Sequence, residues 1–211
     1  MTSESPRYAD RIYRSGAGLL GGVLLLALIA WLGVDALVRG DARTRLLALS
    51  GMLLTAPPVV ALTVRPAVFA GDTRMRVRNP FRTIVLPWGI VEGVRAGLST
   101  EVFADGRKYH LWAIPVSLRQ RKKAARRRER AERAARGDRP RGLLAEAQAA
   151  ADAADGFRAP SDQAVDELNE LAEANAAREE AQGPVEQRWA WELIVPTAVG
   201  AAALAVLLAA G

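Results

Sequence analysis

The sequence predicts a membrane protein of α-helices plus a small β domain. It comprises a two-helix hairpin, an antiparallel sheet, a charged helical linker and a last apolar helix. Three observations carry this. Ser15 to Val34 and Leu46 to Val64 are uncharged runs of twenty and nineteen residues. Leu193 to Gly211 is a third uncharged run. Residues 65–118 change to short runs of strand formers broken by turn signals. Averages conceal this segregation, since mean hydropathy is only +0.03 and a quarter of the residues are charged.

Residues 1–14 form a basic tail with Arg7, Arg11 and Arg14. The first span, 15–38, follows; its uncharged run covers about 30 Å as a helix, the thickness of a bilayer's hydrocarbon core. The basic tail resembles the start of a signal peptide, but the run is longer than an h-region and no small-x-small site precedes the loop. An uncleaved helix is therefore expected. Arg39 to Arg45 make a short polar connection to the second span, 46–64, so the two form a hairpin. Pro57-Pro58 should kink that second helix. Gly18 and Gly22 form a GxxxG, a pattern that permits close packing with another helix or a second copy.

Orientation follows from the basic residues. Three arginines before the first span balance Arg39, Arg43 and Arg45 in the hairpin loop, and twelve Lys and Arg within 119–141 break the tie. The N-terminus and central region are then expected in the cytoplasm and the C-terminus at the outer face.

Within 65–118 the candidate strands are Arg74–Arg78, Arg82–Leu86, Val91–Ala96, Leu98–Phe103 and Lys108–Ile114. Asn79-Pro80 makes one turn and Asp105-Gly106 a hairpin turn. Thr100, Val102 and Ala104 alternate with Glu101 and Phe103, and Tyr109, Leu111 and Ala113 alternate with His110, Trp112 and Ile114. That is the pattern of a sheet with one buried face. By size and strand context, Trp88 and Trp112 are expected in the core.

The order Arg76-Val77-Arg78-Asn79-Pro80-Phe81-Arg82-Thr83, then Leu86-Pro87-Trp88, Phe103-Ala104-Asp105-Gly106-Arg107-Lys108-Tyr109 and Trp112-Ala113-Ile114-Pro115 carries a resemblance. It resembles the PH-like domain of small actinobacterial membrane proteins, the bacterial group of the low-molecular-weight protein antigen 6 type. That group's usual arrangement, two membrane helices followed at once by the domain, matches residues 15–118. The resemblance implies a PH-type half-barrel sheet and no particular biochemical activity. The charged insert and third span depart from the usual layout.

Arg74, Arg76 and Arg78 share one strand face, and Arg82 lies across the Asn-Pro turn from them. These four are candidate contacts for anionic lipid headgroups; a merely solvated strand face is the alternative. Residues 119–141 read as a basic helix, net +9 after Glu129, Glu132 and Asp138. There Arg121, Lys122, Lys123, Arg126, Arg127, Arg128 and Arg130 extend the candidate lipid contacts. Nucleic acid is the rival polyanion, and lipid is favoured because no base-readout motif accompanies the arginines. Residues 142–188 form an acidic, Ala-rich linker, partly helical or disordered, of net −9 over 142–187. Within it Ser161-Asp162 is placed to cap a helix whose Val165, Leu168, Leu171 and Ala172 make one apolar stripe, able to dock on the domain or to pair with another copy. The last span, 189–211, opens with Trp189 and Trp191, residues that favour the headgroup level.

The chain has no cysteine and one histidine, His110. No nucleophilic triad, phosphate loop or metal motif is present, so neither catalysis nor a cofactor is expected. The expected function is a non-enzymatic membrane protein whose domain engages the inner leaflet or a membrane protein partner. A membrane-tethered Arg-rich nucleic-acid or regulatory binder is the alternative, and an accessory subunit of a membrane assembly or transporter a remoter one.

Overall fold

The computed structural model describes residues 11–116 and 160–210, together with residues 125, 126, 129, 133 and 136 between them. Among the described residues, three helices are long and apolar enough to cross a membrane. The first, α1 (Gly16–Arg39), starts where the Ser15 hydroxyl accepts the Gly18 N–H at 3.1 Å. Only Gly40 and Asp41 separate it from α2 (Ala42–Val59), and Asp41 caps α2 through Thr44 N–H at 2.9 Å. Helix α2 runs through Pro57-Pro58, where the sequence predicts a kink, to Val59, and a π-helical turn, Val60–Val64, follows.

The third helix is α4 (Trp191–Ala209), and α2 packs against both α1 and α4. Two glycines permit the close approach. A methyl group at Gly200 would meet the backbone of Leu53 and Leu54, the residues whose carbonyls Pro57 and Pro58 leave without a helical N–H. A methyl at Gly22 would strike Thr63. The Gly18/Gly22 motif thus receives the chain's own second helix.

The β domain is larger than residues 65–118. One sheet has the order β1 (Arg11–Tyr13), β2 (Ala67–Ala70), β3 (Arg74–Arg78), β4 (Arg82–Pro87) and β8 (Glu186–Trp189), all antiparallel. The second is β5 (Val91–Ala96), β6 (Thr100–Ala104) and β7 (Arg107–His110). Val68, Met75, Val77, Ile84 and Leu86 of the first sheet and Val94, Val102 and Tyr109 of the second share one core. Helix α3 (Pro160–Asn175) covers it with Val165, Leu168 and Ala172. The stripe read from the sequence therefore docks on the domain. Residues 11–13, read as tail, and 186–189, read as the end of the linker and the first residue of the last span, are edge strands; each is too short to show an alternation of its own.

The Asp105-Gly106 hairpin forms as expected, with φ of 52° and 65°, the two positive values that a type I′ turn requires. Trp88 is fully buried, its indole N–H donating to Gly71 O at 2.8 Å. Trp112 is not in the core: it is 53% exposed. Strand β7 stops at His110, and alternation carries Leu111 and Ala113 inward. Position outweighed size here.

Helix and sheet are joined at one end. Strand β1 leads into α1 after two residues, α2 with its π turn leads into β2, and β8 leads into α4. The sheet, the start of α1 and the start of α4 therefore lie together, and the far end of α4 lies at the opposite end of the helices. Residues 117–124 and most of 125–159, including nearly all of the basic segment, fall outside the described residues.

Candidate functional site

Four arginines converge where the sheet meets the apolar helices, three of them on one ring. Phe69 of β2 points to the outer face, opposite Arg76 in the register, and the period of two puts Arg78 on the same face. The guanidinium carbons of Arg76, Arg78 and Arg14 lie 4.7, 5.0 and 5.9 Å from the Phe69 centroid, within cation–π range. The ring is only 8% exposed although it points away from the core.

Arg65, immediately after the π turn, is the fourth. Its Nε donates to Asn79 O at 3.3 Å, one terminal nitrogen to Thr83 Oγ1 at 3.0 Å, and the other to Glu192 Oε1 at 2.6 Å. Asn79 is itself buried. Its amide donates to His110 O at 2.9 Å and its side-chain oxygen accepts from Trp112 N–H at 3.3 Å, so the turn is tied to the second sheet.

The cluster is electrostatically loaded. Burial and the like charges of Arg76, Arg65 and Arg14 hold Arg78 below the usual arginine value. Arg188 of β8 stands opposite Thr83 and pairs with Glu186 on its own strand at 4.0 Å, while Glu192 pairs with Arg65. Planar guanidiniums fixed on a ring and crowded by like charge suit a phosphate, which accepts charge-assisted hydrogen bonds and relieves the repulsion.

Of the four sheet arginines read from the sequence, Arg76 and Arg78 enter this cluster. Arg74 shares their face but lies four residues from Arg78, about 13 Å along the strand, and is exposed. Arg82 has the parity of the inward Ile84 and Leu86 and lines a groove on the other side of the sheet. Arg126 is exposed at a helical position, and Arg133 pairs with Glu129 at 2.6 Å. Arg121, Lys122, Lys123, Arg127, Arg128 and Arg130 lie outside the described residues. Arg14, Arg65 and Phe69 were not singled out from the sequence as contacts. The signal for the arginines was their place flanking the two apolar runs; Phe69 had none, because Ala67–Ala70 is too short and too uniformly apolar to alternate.

Among the described residues, no group of three His, Asp or Glu is placed to hold a metal ion. The arrangement defines a class: a two-sheet domain closed by a helix, continuous with apolar helices and carrying a basic face. Residues 65–140 match the family model described as bacterial PH domain, so the chain carries a bacterial PH-like domain. The match begins at Arg65 and leaves out β1, α3 and β8, which complete the sheet and core. No curated protein and no solved structure matches the chain.

Proposed function

We propose that this is a non-enzymatic, multi-pass protein of the cell membrane whose cytoplasmic PH-like domain engages anionic phospholipid of the inner leaflet. The convergence of Arg14, Arg76 and Arg78 on Phe69, with the charge of Arg65 acting on Arg78, beside the ends of the apolar helices, carries this reading. Sheet strands run away from the helix ends, so Arg78 sits at headgroup depth and Arg76 about 7 Å beyond it. Lys and Arg near an anionic surface contribute ~1 kcal/mol each, so Arg14, Arg76 and Arg78 together supply about 3 kcal/mol.

Orientation is supported by the same geometry. The helix ends that carry the sheet also carry the connection to residues 119–141, with their twelve basic residues. The positive-inside rule puts that side in the cytoplasm and the C-terminus at the outer face.

The absence of cysteine makes a direct test simple. A single spin label at Val85→Cys lies on the outer face, opposite Arg76. In the full-length protein in nanodiscs, phosphatidylglycerol should shield this label from a water-soluble relaxation agent more than phosphatidylcholine does. Equal accessibility in both lipids would contradict the reading.

A further inference from the structure

On the other side of the first sheet, the mouth of the domain that faces the helices holds a groove of about 920 Å³. That is within the ~300–1,000 Å³ of small-molecule sites, which favour the mouths of β-barrels. Its walls are largely apolar. Pro80 and Phe81 of the Asn-Pro turn form one side and Leu111 and Ile114 another, while Leu62 and Thr63 of the π turn and Gly18 of α1 form the base.

We propose that this groove receives one anionic phospholipid from the surrounding leaflet, its acyl portion on the apolar walls and its phosphate at Arg82. The inference rests on the membrane placement proposed above but uses a different surface from the arginine face. Three observations commit the groove to a membrane lipid.

The first is continuity. Leu62 and Gly18 belong to helices long and apolar enough to cross a membrane, so the groove opens onto the hydrocarbon edge. A chain can enter sideways without crossing water. The second is charge. Among the described residues lining the groove, Arg82 is the one permanent charge, and no Asp or Glu lines it. A buried carboxylate would repel a phosphate; a lone guanidinium beside apolar walls matches a group with one anionic head and a hydrocarbon tail. The third is the rim. Leu98 is 93% exposed, Trp112 53% and Trp189 60%. Trp112 is nevertheless fixed, its indole N–H donating to Leu62 O at 3.3 Å. Exposed tryptophans with a polar tip on a helix end belong at the headgroup level, where one side meets lipid and the other water.

The test uses full-length protein in nanodiscs containing phosphatidylglycerol with a photoactivatable acyl chain, with labelled residues mapped by mass spectrometry. Labelling is expected at Leu62, Trp112 and Ile114. Arg82→Gln is expected to lower that labelling about tenfold, the scale of one charge-assisted contact. A double Arg76→Gln, Arg78→Gln variant should leave it within about twofold, because those side chains are on the opposite face. Trp112 is exposed, so Trp112→Ala keeps the fold and is expected to reduce groove labelling.

Uniform labelling of lipid-facing residues such as Leu24 without enrichment in the groove would overturn the proposal. So would labelling that is unchanged by Arg82→Gln, or equal with a phosphatidylcholine analogue. Cross-linking of the groove to residues 117–159, which follow its lining residue Val116 in the sequence, would overturn it in favour of the chain's own segment as occupant. Groove labelling that persists while the Val85 label shows no lipid preference would defeat the arginine-face reading and leave this one standing.

Discussion

Arg65 and Glu192 meet at 2.6 Å, one just past the second apolar helix and the other in the first turn of the last. The same guanidinium reaches Asn79 O and Thr83 Oγ1, so one side chain joins two helices, a turn and a strand. Arg65 is mostly covered whereas Glu192 is 63% exposed. Solvent screening keeps the ion pair itself small, and the value of Arg65 lies in the planar fork that serves three acceptors at once.

Replacing Arg65 should therefore matter more than replacing its partner. Glu192→Gln is expected to change unfolding free energy by less than about 1 kcal/mol. Arg65→Lys, which keeps charge but loses the fork, should cost about 2 kcal/mol. Denaturant unfolding of the full-length protein in detergent, followed by Trp fluorescence, would check this; equal effects would show that the ion pair alone matters.

Asn169 of α3 closes the second sheet. Its side-chain oxygen accepts from Val94 N–H at 2.7 Å and its amide donates to Val94 O at 3.0 Å, so it stands in for a neighbouring strand. Val94 is 2% exposed, and Asn169→Ala would leave both backbone groups unpaired. The expected loss is about 2–4 kcal/mol, and amide exchange at Val94 should rise more than at Val102. Asn169→Asp keeps the acceptor but sets a carboxylate oxygen against Val94 O, so it should not restore the native stability.

The two tryptophans separate cleanly. Trp88→Ala should destabilise the domain by about 3–5 kcal/mol, whereas Trp112→Ala, half-exposed and losing one indole hydrogen bond, should cost only about 1 kcal/mol. Thermal melts of the two variants would show the contrast.

Tyr13 provides a pH signature. Its hydroxyl donates to Glu167 Oε2 at 2.6 Å. Burial first, then that hydrogen bond and the carboxylate's charge, push its pKa from 10.0 to about 12. The folded value is raised, so the stabilisation is fully present below pH 10 and is lost as pH rises toward about 12. Tyr13→Phe should flatten the part of the stability curve between those limits, measured by urea midpoints at each pH.

Much of this architecture was legible in the sequence. The helices follow from the lengths of the uncharged runs, and Asp105-Gly106 marked its hairpin because few other pairs accept positive φ at both positions. Ala67–Ala70, Arg11–Tyr13 and Glu186–Trp189 were not legible as strands. All are three or four residues long; Ala67–Ala70 is too uniformly apolar to alternate, and Arg11–Tyr13 and Glu186–Trp189 gain their partners only across the apolar helices or the linker. The site was half legible for the same reason. Arg76 and Arg78 share a strand face by simple parity, but parity also sends Arg82 inward, a consequence of strand β4 resuming immediately after the turn. The helix hairpin brings Arg14 to Phe69 and Arg65 near Arg78, a tertiary relation that spacing in the chain does not encode.

The central claim is that the arginines around Phe69 bind anionic headgroups. It is tested most directly by the spin-labelled lipids that associate with the full-length protein in mixed bilayers. The account predicts that labelled phosphatidylglycerol is enriched over phosphatidylcholine, that the preference falls with added salt, and that Arg76→Gln with Arg78→Gln lowers it severalfold without unfolding the protein. Equal association of both lipids with the native chain, or a preference untouched by the double substitution, would contradict it.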